Sequence, residues 1–136
     1  MVAPQFDGRL IARLRILSWV LALFTIAVGC TVILGWLFNI ETLKSVVPGF
    51  ATMKFNTALA FVVAGVGALS LGRRNRITVV AAVILLLLGL LSLSEYLTGW
   101  NIGIDELFVR DVVDVFQTGV PGRMAFVTAF NFSLLG

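Results

Sequence analysis

The chain has 136 residues, 60% of them hydrophobic and 12% charged, with a mean hydropathy of +1.06. A water-soluble domain carries roughly twice that share of charge, so a surface wetted on all sides is excluded and a membrane protein is expected. The absence of histidine removes the usual haem and zinc ligand sets, and a single cysteine removes any internal disulfide.

The first predicted element starts in an arginine-rich segment. Phe6, Leu10, Leu14 and Leu17 form an apolar stripe beside Arg9 and Arg13, and Asp7 is placed to cap a helix there. The uncharged run Ile16–Phe38 follows, 23 residues long and sufficient to span a bilayer. Ala27-Val28-Gly29-Cys30 within it resembles a lipoprotein signal, but the apolar run continues eight residues past Cys30. The run therefore reads as a spanning helix, with Cys30 a buried, inert small residue. A loop, Asn39–Lys54, carries a turn at Pro48-Gly49.

Phe55–Leu71 gives a second helix, 17 residues long, and Ile77–Leu97 a third, interrupted only by Glu95. Ile104, Leu107, Phe108, Val112, Val115 and Phe116 fall at helical spacing and predict an interfacial amphipathic helix over 104–116. The final run, Ala125–Gly136, has 12 residues. At about 1.5 Å each it reaches roughly 18 Å against a hydrocarbon core of about 30 Å, so it reads as a truncated fourth helix.

Met53–Gly65 and Met124–Gly136 share Met, Phe, Thr, Ala, Phe and Gly at matching positions seventy-one residues apart. The fold expected is all-α: a polytopic helical bundle of three full membrane helices plus the truncated fourth. It forms one membrane domain, 1–136, made of two parallel helix-hairpin repeats, 16–72 and 77–136. Contact faces are expected at small residues: Ala27, Thr31 and Gly35 in the first helix, Ala60, Ala64 and Ala68 in the second, and Gly89, Ser92 and Glu95 in the third. Leu85–Leu88 is expected to face lipid.

Arg9, Arg13, Arg15, Arg73, Arg74 and Arg76 lie at one end of the predicted helices with a single acid, Asp7. The positive-inside rule places that end and the N-terminus in the cytoplasm. The net charge of +3 then reflects topology. A basic stripe with interleaved aromatics is absent, so no nucleic acid is expected as a partner.

No nucleophile–base set, CxxC, P-loop or GxGxxG occurs, so no catalytic, metal or cofactor site is expected. The candidate site is Glu95-Tyr96, because a carboxylate near membrane depth is costly. Arg123 and Lys54 are its expected partners. Glu95, Tyr96, Lys54, Asn56 and Arg123 read either as a lock on the bundle or as the polar rim of a pocket. Such a pocket suits an amphiphilic ligand such as a quinone or a lipid. Trp36 and Trp100 read as interfacial belt residues.

The stretches MKFNTA (Met53–Ala58), LSEYLTGWNIGIDEL (Leu93–Leu107) and PGRMA (Pro121–Ala125) together carry a resemblance. Over about residues 50–136 the chain resembles the N-terminal transmembrane region of bacterial PAS-domain-containing sensor histidine kinases and diguanylate cyclases. The matching residues are Met53, Asn56, Thr57, Ala58, Glu95, Tyr96, Gly103, Ile104, Asp105, Gly122, Arg123 and Met124. The departure is Val127, where the pattern carries Asn; Asn131 lies one turn on. The resemblance implies a sensory or anchoring input module of a signal-transduction protein whose output domain follows Gly136. The rival is a small accessory subunit of a larger membrane complex, and a homodimer is open under either reading.

Overall fold

The computed structural model describes residues 7–45, 52–71, 76–100, 103 and 122–136. The predicted interfacial helix over 104–116, Arg73, Arg74 and the Pro48-Gly49 turn lie outside the described residues. Among the described residues the structure is all-helical: α1 (Gly8–Leu37), α2 (Glu41–Lys44), α3 (Phe55–Leu69), α4 (Arg76–Thr98) and α5 (Phe126–Leu135), with no strand. Two of these, α1 with 30 residues and α4 with 23, are long and apolar enough to cross a membrane; α3 and α5 are shorter apolar helices.

The sequence explains the ends of α1. Asp7 is the N-cap, its carboxylate accepting from the Arg9 backbone N–H at 3.0 Å, which satisfies one of the otherwise orphan donors of the first turn. At the other end Asn39 takes a left-handed φ of 55°. The Ile40 N–H donates to the Gly35 carbonyl at 2.8 Å and the Asn39 N–H to that of Trp36 at 3.4 Å. This is the paired 6→1 and 5→2 closure of a Schellman motif, and asparagine tolerates the conformation better than a β-branched residue would. The turn throws the chain into α2, a four-residue helix that the loop composition did not predict.

Packing follows chain order. α1 lies against α3, α3 against α4, and α4 against α5. The core is Ala60, Leu85, Met124, Ala129 and Phe132, with Phe61 meeting Phe132 edge to face at 6.0 Å between centroids. Gly89, Ser92 and Glu95 are buried along α4 as expected. Leu85 is buried with them, while Leu87 is exposed, so only part of the leucine run faces outward.

The α1 contact face differs from the expected one. Its buried residues are Ala22, Gly29, Val32 and Gly35, whereas Ala27 and Thr31 are exposed. The Thr31 hydroxyl donates to the Ala27 carbonyl at 2.8 Å. A threonine satisfied within its own helix needs no partner helix, so its small size does not mark an interface. Cys30, expected to be buried, is exposed beside Gly29 on the outward side.

The two helix pairs, α1/α3 and α4/α5, meet in the same register. A Cβ on Gly29 would lie 2.6 Å from the Ala58 carbonyl oxygen and 2.8 Å from Val62 Cγ2, so only glycine permits this approach. A Cβ on Gly89 would meet the Ala129 carbonyl oxygen and Ser133 in the same way. Gly65 sits over Ala22 and Ile26, as Gly136 sits over Ala82 and Leu86. The first-helix partners (Gly29 and Gly89, Ala22 and Ala82, Ile26 and Leu86) are each sixty positions apart. The second-helix partners (Ala58 and Ala129, Val62 and Ser133, Gly65 and Gly136) are each seventy-one apart.

Candidate functional site

Glu95 falls three residues beyond Ser92 and six beyond Gly89, on the face of α4 that packs inward, and it is fully buried. A carboxylate in that position requires a cation. Arg123 supplies it from the segment leading into α5, with Nε 3.4 Å from Glu95 Oε2 and only 5% of the residue exposed. The pair expected from the sequence is thus formed.

Tyr96, the next residue on α4, closes the arrangement. Its hydroxyl donates to the Met124 carbonyl at 2.8 Å, and the Arg123 guanidinium lies over its ring at 5.2 Å. Phe126 meets the same ring edge-on at 5.6 Å. Arg123 also donates to the Trp100 carbonyl at 3.5 Å. Four side chains, Glu95, Tyr96, Arg123 and Phe126, therefore tie the end of α4 to the beginning of α5 by charge, hydrogen bond and ring contact.

Lys54 and Asn56 are both buried at the start of α3. Lys54 is the N-cap residue of α3, its carbonyl accepting from the Ala58 N–H at 3.0 Å. The Asn56 side-chain oxygen accepts from the Thr57 N–H at 2.8 Å. The five candidate residues are all polar groups withdrawn from solvent. A cavity of about 670 Å³ lies elsewhere, between α1, α3 and α5, lined by Leu17, Ala22, Phe61, Ala64 and Phe132 among others.

A second tie, not predicted from the sequence, joins α1 to the start of α3. Trp36 Nε1–H donates to the Met53 carbonyl at 2.9 Å, and the Lys44 ammonium lies 4.7 Å from the centre of its ring. Lys44 is itself buried and bridges Glu41 and Asn39, each at 2.7 Å. Trp36 thus fastens the end of α1 to the start of α3, while Trp100 is 76% exposed. Trp36 and Tyr96 are again sixty positions apart, and Met53 and Met124 seventy-one. Glu41 three residues before Lys44 was the available sequence signal for the buried lysine.

Among the described residues no group of three histidine, cysteine or acidic side chains is placed to hold a metal ion. The chemistry on display is charge pairing and aromatic stacking, which hold helix ends together and make their separation expensive. No protein-family model, no curated protein and no solved structure matches the chain.

Proposed function

We propose that this chain is the membrane-embedded input module of a bacterial signal-transduction protein, built from two tandem helical hairpins with the N-terminus in the cytoplasm. The observation that carries the proposal is the Glu95–Arg123–Tyr96 cluster, with its ion pair buried, which couples the end of the long apolar helix α4 to the start of the shorter α5. A stimulus acting on that end of the bundle would change the tilt or depth of α5, the helix closest to any output domain following Gly136.

Several observations support the membrane placement. From Arg15 to Trp36 is about 31 Å of helix and from Arg76 to Tyr96 about 30 Å, which matches the hydrocarbon thickness between a charged end and an aromatic end. The common register of the two helix pairs supports duplication of one hairpin, with α3 and α5 as the shorter second members.

The test is a fusion of residues 1–136 to a kinase or cyclase output domain. Glu95→Gln and Arg123→Gln should each change the basal output at equal protein level, and the exchanged pair Glu95→Arg with Arg123→Glu should move it back. Output indifferent to all three variants would refute the input role. A second reading, an accessory subunit of a larger membrane complex, is favoured by one observation: every residue of α1 up to Leu21 is exposed. Photo-crosslinking from Leu14 to a different membrane protein would support it.

A further inference from the structure

We propose that the groove between α1, α3 and α5 binds one acyl chain of an anionic phospholipid, whose phosphate is held by the Arg13 guanidinium. The inference rests on the membrane placement given above and goes beyond it, because it assigns a ligand class to a place that the buried charge cluster does not reach.

Size and length both fit. The groove is open along one side and has a volume of about 670 Å³, in the roughly 300–1,000 Å³ range of small-molecule sites. Along α1 its lining runs from Leu14 to Thr25, about 16 Å of helix. That is half of the roughly 30 Å hydrocarbon core, the depth of one leaflet.

The chemistry of the walls agrees. The floor is Phe61, Ala64, Gly65 and Ala22, small or apolar groups that offer a hydrocarbon chain close contact. The Thr25 hydroxyl is turned to the Leu21 carbonyl of its own helix at 2.8 Å, so it presents no free donor to the groove. The groove begins one residue beyond Arg13. Arg9, Arg13 and Arg15 are all exposed at this end, whereas Lys44, Lys54 and Arg123 at the opposite end are buried. Asp7, the acid nearest to them, accepts from a backbone N–H as the helix cap. An apolar slot that begins beside exposed guanidinium groups, three arginines against the single acid Asp7 at the start of α1, complements a phosphate carrying a fatty chain.

The experiment uses the full chain in mild detergent, offered phosphatidylglycerol and phosphatidylcholine of equal chain length, with retained lipid read by native mass spectrometry. Phosphatidylglycerol should be retained in preference. Arg13→Gln should reduce that preference about fivefold. Leu135→Trp, at an exposed position on the rim, and Ala68→Leu, within the groove, should both lower occupancy by either lipid. Equal retention of the two lipids, or retention unaffected by either filling variant, overturns the proposal. So does loss on Asn131→Leu with Arg13→Gln silent, the pattern of an uncharged ligand recognised by the amide. Failure of the membrane placement itself is distinguishable, because alkaline carbonate would then release the chain from vesicles whatever their headgroup.

Discussion

Removing the carboxylate of Glu95 while keeping its shape is the most direct perturbation of the bundle. Glu95→Gln removes the carboxylate that lies 3.4 Å from the Arg123 guanidinium, a group only 5% exposed. Breaking a buried ion pair from one side costs about 3–5 kcal/mol, because the remaining charge stays desolvated. The amide is nearly isosteric, so little of that loss comes from a cavity. Arg123→Met should lose a similar amount together with the contact over Tyr96, worth about 0.5–2 kcal/mol. The double variant carries neither charge, so it should be more stable than the sum of the singles predicts, with a coupling of at least about 2 kcal/mol. The assay is unfolding of the purified chain in mixed micelles titrated with dodecyl sulfate, followed by circular dichroism. A Glu95→Gln protein within about 0.5 kcal/mol of wild type, or strictly additive variants, would refute the argument that this pair locks α4 to α5.

Two other substitutions probe the packing. Gly29→Ala puts a methyl group 2.6 Å from the Ala58 carbonyl oxygen, so α1 and α3 must separate at a cost of about 1–3 kcal/mol; an unchanged midpoint in the same titration would contradict the close approach. Ser92 is fully buried and its hydroxyl has no hydrogen-bond partner among the described residues, so Ser92→Ala should stabilise the chain by about 1 kcal/mol, and a lowered midpoint would indicate an unrecognised acceptor.

Much of this was legible because charge is scarce in an apolar chain. Glu95 and Arg123 stand out in such surroundings, and the need of a buried carboxylate for a cation narrows its partners to Arg123 and Lys54 without coordinates. The start of α1 at Asp7 was readable for a similar reason, since capping is a local interaction between neighbours in sequence. The α1 interface was not readable. Small size at Ala27, Thr31 and Gly35 fits a contact stripe equally well, and the choice of Ala22, Gly29 and Val32 depends on how α3 docks, which is not local information. Lys44 was missed because a lysine in a loop is ordinarily solvated; its burial follows from the turn at Asn39, which brings α2 back onto Trp36. The groove is a property of three helices together, and no single stretch of sequence encodes it.

The paired fastenings differ in one respect. Seventeen positions separate Trp36 from Met53, and twenty-eight separate Tyr96 from Met124. The difference of eleven residues lies wholly in the connection, since the inter-helix contacts on either side keep step. Closing the longer loop costs only about 0.4 kcal/mol more by polymer statistics. A hairpin clamped at its rim by an aromatic hydrogen bond and a stacked cation can therefore accept extra chain at its crown with almost no thermodynamic consequence. The crown, not the clamp, is where such a scaffold is free to acquire new recognition.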